Sequence, residues 1–543
     1  MLSKTFATRF LFPGLLLGSA LLARADVKFH GLFSDNMVLQ RGMSAPVWGW
    51  ADEGEQVTVQ FRRHTVKTVA RGGKWMVRIG SLQAGGPDDL RVSGKNTLTL
   101  RNVLVGEVWI ASGQSNMEWP LRSAFDAETE VAASANPMLR LYTVPKLKAD
   151  APADNVPASW QECKPSTSSN FSAVAYFFGR DLQRALKVPV GIIHTSWGGS
   201  PAEVWMSERV LASNPEYKRE ILGAYANQMK KFEETLAQFV QEEEAAKKEG
   251  KPFTKRRPGT PWKPAQLYNG MIAPLIPFAI QGAIWYQGES NAGRAWQYRT
   301  LFPDMIRNWR RDWGQGDFPF LLVQLAPFKD IKSDPGDSDW AELREAQALA
   351  TKVLPKVGMA VITDVGEEKN IHPKKKEPVG ARLALAARNI AYGERIVSSG
   401  PTFKRMKVKA NKAILTFDHV GRGLEARLVA DSDLSKVQKT SQPSVVYSTP
   451  SGRLTQPLVG FAIAGADRKF VWAQAVIDGH KVVVSSPGVE KPVAVRYGWA
   501  DYPVVNLWNN DGLPASPFRT DGFPMITTPK NSETSGKAGK AGG

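Results

Sequence analysis

A serine directly follows a strand-like segment in the stretch VLVGEVWIASGQSNMEW, residues 103–119. The apolar residues up to Ile110 are typical of a buried strand, and the polar turn after them contains Ser115. Because a serine hydroxyl is a weak nucleophile by itself, catalysis requires a base and an oxyanion-stabilising group from elsewhere in the chain. The same stretch is compatible with an ordinary turn, since Gly, Ser and Asn are common turn residues. Ser115 is therefore a candidate nucleophile whose role depends on its neighbours in space.

Further residues of chemical interest occur where other predicted strands end. Strands are predicted at 105–111, 189–194, 280–286, 318–325 and 358–364. The residues that follow them include Gly198, Gly199, Gln287, Glu289, Asn291, Asp364 and His372. In an open parallel sheet these positions share one rim, where ligands bind. A nucleophile, amide donors and a histidine base on one rim together predict acyl transfer by a serine.

Each of these residues also has an interpretation without a catalytic role. The glycine pair is compatible with a tight turn. Gln287 and Asn291 are compatible with helix caps or loop hydrogen bonds. His372 fits an exposed loop, Asp364 fits the end of a strand, and Glu289 can pair with a cation beneath the site. Five tryptophans fit either the core or a sugar-stacking surface, namely Trp119, Trp197, Trp205, Trp285 and Trp296. The catalytic hypothesis depends on the coincidence of these groups.

The elements that must position these residues alternate between strands and helices. Apolar residues recur with helical spacing at 172–186, 302–313, 341–354 and 377–393. This alternation predicts an α/β fold in which helices cover both faces of a parallel sheet, with accessory β modules on either side. The predicted organisation is an N-terminal β domain at 26–102, a catalytic domain at 103–396 with a helical insertion at 207–265, a C-terminal β module at 397–525 and a disordered tail at 526–543.

The first 25 residues have the features of a secretory signal peptide. Lys4 and Arg9 precede a short apolar run, and the residues 23–25 fit an A-x-A cleavage site. We therefore expect cleavage after Ala25 and a secreted or periplasmic protein. The apolar run is short for a membrane span, and no later stretch predicts one.

The composition argues against several classes of function. The 543 residues carry a formal net charge of +18, but the basic residues are dispersed and no nucleic-acid-binding motif accompanies them, so no nucleic-acid partner is predicted. Basic clusters such as HPKKK at 372–376 are interpreted mostly as solvated surface.

Cys163 is the single cysteine, which excludes an internal disulfide and a cysteine-based metal cluster. The six histidines lack metal-binding spacing, so we predict no metal and no cofactor. The sequence does not specify an oligomeric state.

Several long motifs resemble the sialate O-acetylesterase family of the SGNH hydrolase superfamily. They are GQSNMEW, HTSWGGSPAEVWM, LYNGMIAPLIPFAIQGAIWYQGESNA, IHP and NLWNNDGLPASPFRTD. They occur in order from the N-terminal β domain to about residue 524, and the block at 268–292 is the most specific. The resemblance implies a flavodoxin-like SGNH domain and a serine esterase that removes O-acetyl groups from carbohydrates.

The resemblance also implies roles for individual residues. Ser115 corresponds to the nucleophile and His372 to the general base, with the Ser115 N–H in the oxyanion hole. The other oxyanion donors implied are an N–H of Gly198 or Gly199 and the side-chain amide of Gln287 or Asn291. Six rim residues are expected to contact substrate, namely Gln114, Asn116, Trp197, Glu203, Trp205 and Glu289.

One position departs from the family pattern. Many SGNH enzymes orient the histidine with an aspartate three residues before it, where this chain has Lys369. Asn370 also stands where an acid is commoner in the family. A lysine cannot orient an imidazolium favourably, so we favour a Ser-His dyad held by the backbone, with Asp364 as the next candidate for a third member. Glu367 and Glu368 remain further alternatives.

Two other functions are less consistent with the sequence than the esterase. A carbohydrate-binding protein with a degenerate site would use its β modules and tryptophans, but the presence of Ser115, Asn291 and His372 disfavours it. A lipid esterase is disfavoured because the GxSxG motif is absent at Ser115 and the loops show little of an apolar lid. The acetylated sugar is left open between sialic acid and polysaccharide side groups.

Overall fold

A computed structural model describes residues 26–437, 447–448 and 454–529. The predicted signal peptide and most of the predicted tail lie outside these residues. Within the described ranges, no helix combines the length and the apolar character needed to cross a membrane.

The N-terminal part of the chain consists of β-strands. These are β1 (Lys28–Phe29), β2 (Val38–Gln40), β3 (Ala45–Trp50), β4 (Gln56–Phe61), β5 (His64–Val69), β6 (Lys74–Ile79), β7 (Gly85–Ser93) and β8 (Thr97–Gly113). In β4 and β6 every second residue is buried, so each strand turns one apolar face to a core. β1, β3 and β6 form a small sheet, while β4, β5 and β7 join the first half of β8.

The second half of β8 lies in the centre of the main sheet. The further strands of this sheet are β9 (Asn136–Thr143), β10 (Gln161–Cys163), β11 (Val190–Ser196), β12 (Gly282–Tyr286), β13 (Phe320–Val323) and β14 (Val357–Ala360). The order is β10-β9-β11-β8-β12-β13-β14, and every pair except β10–β9 is parallel. The chain leaves β8 between β11 and β12, which is the switch point where doubly wound sheets bind ligands.

Helices fill the connections between these strands. They are α1 (Ser115–Glu118), α2 (Ala127–Ala132), α3 (Pro165–Ser168), α4 (Ala173–Leu186), α5 (Glu208–Ser213), α6 (Pro215–Tyr217), α7 (Gly223–Lys248), α8 (Ala295–Trp313), α9 (Asp339–Val353) and α10 (Glu377–Ile390). Short 3-10 turns lie at Leu121–Ser123, Ala202–Trp205, Ala273–Leu275 and Glu289–Arg294, and π-helical turns at Lys218–Leu222 and Tyr268–Ile272. Capping residues set both ends of α4: Ser172 accepts from Ala175 N–H at its start, and Lys187 ends the helix in a left-handed conformation.

The parallel sheet is covered on both faces. One core cluster combines apolar residues of α8 and α9, such as Trp309 and Leu343, with Trp285 of β12. The other combines α4 and α10, such as Phe178 and Leu383, with Ile284 of the same strand. Because neighbouring residues of β12 enter opposite clusters, the sheet is buried on both sides. The predicted α/β class with flanking β sheets is confirmed at this level.

The polar insertion consists mainly of α7, in which Phe239 is the buried residue. The C-terminal part comprises β15 (Thr402–Lys409), β16 (Lys412–Asp418), β17 (Leu424–Ala426), α11 (Asp431–Val437), β18 (Tyr447–Ser448), β19 (Leu454–Thr455), β20 (Phe461–Ala464), β21 (Phe470–Trp472), β22 (Gln474–Asp478), β23 (Lys481–Ser485), β24 (Ala494–Tyr497), β25 (Leu507–Asn509) and β26 (Phe518–Arg519). β15-β16-β23-β22 and β21-β20-β24-β26 form two four-stranded sheets around one core.

The structure differs from the predicted elements at two informative places. The strand predicted at 105–111 is the end of β8, which begins at Thr97 and crosses the predicted domain boundary at 102/103 without a break. β14 ends at Ala360 and not at Asp364. Asp364 therefore lies four residues beyond the sheet, in the loop that leads to His372.

Candidate active site

Ser115 and His372 are hydrogen-bonded at the carboxyl end of β8. Ser115 is the first residue of α1, and its Oγ lies 2.8 Å from Nε2 of His372, which belongs to the loop between β14 and α10. Both side chains are half-buried. A hydroxyl within hydrogen-bond distance of an imidazole nitrogen can transfer its proton to that nitrogen as it attacks an electrophile. The two residues thus have the geometry that a nucleophile and its base require.

The turn before Ser115 requires glycine. Gly113 has φ +140°, and a Cβ at this position would lie 2.1 Å from the carbonyl oxygen of Tyr286 in β12. The N–H of Gln114 donates to that same carbonyl at 3.0 Å. The turn is therefore packed directly against the end of the neighbouring strand, and this contact fixes where the serine hydroxyl points.

The loop that carries His372 is fastened by its own polar residues. The His372 N–H donates to Oδ1 of Asn370 at 3.0 Å, and Nδ2 of Asn370 donates to the His372 carbonyl and to Glu367. Glu367 also accepts the N–H of Lys374. These bonds hold the backbone on both sides of the imidazole without a carboxylate contacting the ring.

The imidazole of His372 is further defined by an aromatic neighbour. Trp119 stacks on it with ring centroids 5.2 Å apart and an angle of 21° between the planes. Burial, and then the positive charge of Lys376, lower the pKa of His372 from its usual value of 6.5. In the part of the chain that the structure describes, no hydrogen bond reaches Nδ1 of this ring. The geometry accordingly matches a Ser-His dyad.

Asp364 is not placed to act as a third catalytic residue. Its two carboxylate oxygens accept from the guanidinium of Arg382 in α10 at 2.6 and 2.8 Å. Arg382 also donates to the carbonyl of Val361, so this pair fastens the end of β14 to α10. The prediction that Asp364 is the next candidate for orienting His372 is corrected to a structural role.

The predicted glycine donors lie beside the nucleophile. A Cβ on Gly198 would lie 3.2 Å from Cβ of Ser115, so only glycine permits this approach without displacement. The Gly198 N–H donates to Oε2 of Glu118 at 2.6 Å, and Glu118 forms an ion pair with Lys146. Gly199 is exposed and has φ +76°, which identifies it as the turn former. Gly198 is therefore the better placed of the two glycines.

Gln287 and Asn291 differ in what their side-chain amides can still donate. Nε2 of Gln287 donates to Oδ1 of Asn291 at 2.7 Å and to the carbonyl of Ser200 at 3.2 Å, which uses both of its hydrogens. Nδ2 of Asn291 donates to Glu203 at 3.0 Å, which uses one. Gln287 therefore holds Asn291 in position. Of the two predicted amide donors, only Asn291 keeps a free N–H for an oxyanion.

Three of the predicted substrate-binding residues lie beneath the surface. Trp205 is fully buried, and its N–H donates to Ser200 Oγ. Glu203 is buried and forms an ion pair with Arg294. Asn116 is 1% exposed and forms hydrogen bonds within the protein. These three predictions are corrected because the side chains have no access to a bound sugar.

Of the other three predicted substrate-binding residues, Gln114 is also buried, at 3% exposure, whereas Glu289 and Trp197 are partly exposed. Oε1 of Gln114 accepts the N–H groups of Gly288 and Ser290, each at 3.4 Å, while its Nε2 makes no hydrogen bond in the described ranges. Glu289 is half-buried, with Oε1 bonded to Asn116. Trp197 is half-buried at the rim, immediately before Gly198.

Trp197 belongs to an aromatic and basic surface that the sequence did not indicate. Its ring contacts Trp262 edge-on with centroids 5.5 Å apart. Lys146 and Lys148 lie over the Trp197 ring at 5.3 and 5.5 Å, and Lys148 also lies 4.2 Å from the Trp262 centroid. We call these four residues the tryptophan–lysine rim. Both lysines come from a segment between the predicted elements, and Trp262 comes from the Pro-rich end of the predicted insertion at 207–265, so periodicity does not connect them.

Lys376 was also missed. The sequence places it in a run of basic residues typical of solvated surface, whereas the structure buries it at 1% exposure beside the pair of Ser115 and His372. Within the described residues, no cluster of three or more His, Cys, Asp or Glu side chains has the arrangement of a metal site.

Comparisons with known proteins identify the family of the chain. The sequence model of a family described as carbohydrate esterase, sialic acid-specific acetylesterase, matches residues 258–389. Sialate O-acetylesterase of Mus musculus is 31% identical over 565 aligned residues, which cover 93% of this chain and 98% of the relative. The protein of the same name from Pongo abelii is 30% identical and covers 93% and 96%. The crystal structure of a carbohydrate acetylesterase from Xanthomonas citri is 40% identical, has a TM-score of 0.75, and covers 92% of this chain and 100% of that one.

Proposed function

This chain belongs to the sialate O-acetylesterase family and is a carbohydrate O-acetylesterase, and we propose that it works through an acetyl-serine intermediate on Ser115. The observation that carries the proposal is the 2.8 Å hydrogen bond between Ser115 Oγ and His372 Nε2 at the switch point of the sheet. This bond supplies the nucleophile and its base in one contact.

In the first half of the reaction, Ser115 Oγ attacks the acetyl carbonyl carbon while His372 Nε2 accepts the hydroxyl proton. The tetrahedral intermediate then collapses, the bond from the acetyl carbon to the sugar oxygen breaks, and His372 returns the proton to that oxygen. In the second half, water attacks the acetyl-serine with the same base. Acetate leaves, and Ser115 Oγ recovers its proton.

Three donors are proposed to stabilise the negative charge on the carbonyl oxygen. They are the N–H of Ser115, the N–H of Gly198 and the second N–H of Asn291. Neutral donors fixed before the reaction stabilise the developing charge without reorganisation. The Gly198 N–H is bonded to Glu118 in the free enzyme, so substrate binding has to move this carboxylate aside.

In this proposal no carboxylate orients His372. Other contacts hold its imidazole ring in place. Asn370 fixes the backbone at both its N–H and its carbonyl. Trp119 stacks on one face of the imidazole, which favours the imidazolium that forms when the proton is transferred. Together they orient the base as an aspartate does in a triad.

For the substrate we propose an O-acetylated sugar that carries a negative charge, as sialic acid does. The tryptophan–lysine rim supports this choice, because Trp197 and Trp262 offer apolar faces to a sugar ring and Lys148 offers an ammonium group to a carboxylate. The names of the curated relatives point to the same sugar. Export through the predicted signal peptide at 1–25 remains part of the proposal.

The decisive experiment is acetate release by the purified chain beside Ser115→Ala and His372→Ala. The substrates are an O-acetylated sialic acid, a neutral acetylated oligosaccharide and p-nitrophenyl acetate. The parent is expected to hydrolyse all three, with preference for the first, and both variants should lose turnover. After an acid quench, mass spectrometry of the peptide that contains Ser115 should show an added acetyl group. Unchanged turnover by Ser115→Ala would contradict the proposal.

A further inference from the structure

Three consecutive lysines near His372 occupy different environments. Lys374 and Lys375 are exposed, whereas Lys376, the residue before α10, is 1% exposed. Burying an ammonium group is unfavourable unless nearby groups compensate its charge. The position of Lys376 therefore needs an explanation that the helix alone does not supply.

The Lys376 ammonium is held by the turn that carries the nucleophile. Nζ donates to Oδ1 of Asn116, the residue after Ser115. The ammonium also lies 5.4 Å from the ring centroid of Tyr286 and 5.9 Å from that of Trp119, which is within cation–π range. Two of these three residues adjoin the catalytic pair, since Asn116 follows Ser115 and Trp119 stacks on His372.

The same contacts extend to His372. Nδ2 of Asn116 donates to the carbonyl of Ile371, the residue before the histidine, at 3.0 Å. It also donates to Oε1 of Glu289 at 2.7 Å. The Trp119 ring that faces the ammonium stacks on the imidazole. We call Lys376, Asn116 and Glu289 the lysine network. It bonds to the backbone next to His372 through Asn116 and reaches the imidazole by way of Trp119.

Burial shifts the pKa values of both ionisable groups in this network. Burial lowers the pKa of Lys376 to about 7, while the carboxylates of Glu289 and Glu367 act in the opposite direction. Burial also raises the pKa of Glu289, whose Oε2 has no hydrogen-bond partner in the described residues. The titratable groups that face Lys376 are therefore Glu289, Glu367, His372 and, from the end of β12, Tyr286.

We propose that Lys376 is a positioning residue that keeps the imidazole of His372 neutral in the free enzyme and, through Asn116, holds the backbone of Ile371 in place. The inference rests on the proposed function, because it assigns the base of that reaction. A histidine must be neutral to accept the serine proton, and a positive charge nearby opposes its protonation.

The consequence is a base that stays available in mildly acidic solution. Below pH 7 Lys376 is mostly protonated, so its charge is present across the range in which His372 titrates. The lowered pKa of His372 moves the loss of activity on acidification to a lower pH. A dyad with an unassisted histidine would lose half of its base near the usual pKa of 6.5.

The test combines NMR titration of the His372 imidazole with the pH dependence of kcat/KM for p-nitrophenyl acetate. The variants are Lys376→Met, which removes the charge, and Lys376→Arg, which keeps it. Lys375→Met is the matched control, since it removes an exposed charge from the same run. The His372 signals are assigned from their absence in His372→Gln, and folding of each variant is checked by thermal melting.

In the parent, His372 should titrate below 6.5, and a value at or above 6.5 would overturn the inference even if no variant at position 376 folds. Lys376→Met should raise the pKa of His372 and the midpoint of the acidic limb by about 0.5 to 1 unit. Lys375→Met should change neither the pKa of His372 nor the midpoint of the acidic limb.

A uniform loss of kcat with both midpoints unchanged would show that Lys376 is only structural. An inactive parent would refute the esterase, whereas the NMR titration would still decide the role of Lys376.

Discussion

Two polar networks flank the Ser115 turn, and they differ in what they leave unsatisfied. The lysine network buries an ammonium and a carboxyl group whose Oε2 lacks a partner in the described residues. The amide network, formed by Gln287, Asn291, Glu203 and Arg294, has each side chain bonded to the next. A buried network whose side chains are hydrogen-bonded to one another fixes their positions. A network that buries charged groups shifts the pKa values of its neighbours. The first network should therefore control the pH dependence of the base and the second the geometry of the oxyanion site.

The largest effect should come from residues that belong to neither network. Ser115→Ala and His372→Ala should each lower kcat by about 10⁴-fold, since the residues of a nucleophile–base pair act as a unit. Steady-state kinetics on an acetylated sialic acid measures the loss, and thermal melting should show little change. A double variant that is far less active than either single variant would mean that the two residues act independently.

In the amide network, Glu203→Gln should affect stability and activity together. The change removes a buried charge from Arg294 and weakens the hold on Asn291, so we expect a loss of about 2 kcal/mol in the free energy of unfolding. We also expect a fall in kcat of about 10-fold, as the removal of one oxyanion donor costs more than its misplacement. Denaturant unfolding and kinetics give the two values.

Glu242→Gln is the matched control for this change. Glu242 of α7 forms a solvent-exposed ion pair with Lys255, and such a pair contributes little to stability. For Glu203→Gln itself, the pH midpoint of kcat/KM should equal that of the parent. A shifted midpoint would contradict the claim that the two networks have different roles.

Asp364→Asn tests whether Asp364 only fastens the loop or also orients His372. The substitution weakens the pair with Arg382 but does not touch the imidazole, so kcat should fall less than about 5-fold, against about 10⁴-fold for His372→Ala. Equal losses in the two variants, measured under the same conditions, would refute the dyad. The melting temperature should fall modestly, because the pair ties β14 to α10.

The smallest effect should appear at the tryptophan–lysine rim, outside both networks. Lys148→Ala should raise KM for an acetylated sialic acid about 2- to 5-fold at low salt, and the difference should shrink as salt screens the charge. Hydrolysis of p-nitrophenyl acetate, which has no carboxylate, is the internal control. An equal change in KM for both substrates would disprove charge recognition by this lysine.

The sequence predicts best where a residue's role follows from local pattern. Alternation of strands and helices placed Ser115 and His372 on one rim, and the resemblance assigned their roles. The failures depend on distant contacts. Nothing local separates Lys376 from Lys375, because its burial depends on Asn116, 260 residues away. Likewise, the hydrogen bonds that occupy Gln287 come from segments that no periodicity connects. Asp364 was misplaced since β14 ends earlier than its apolar residues suggest.

The unbroken course of β8 links the N-terminal β sheet directly to the turn that carries Ser115. Its first half pairs with β7 and β2, and its last residues lead to Ser115. A chain shortened to begin at residue 103 would lose residues 97–102 of β8, and Val103 and Val105 would lose their partners in β7. The two regions should therefore melt in a single cooperative transition, and a strain applied to the amino-terminal sheet should be transmitted along one backbone to the serine.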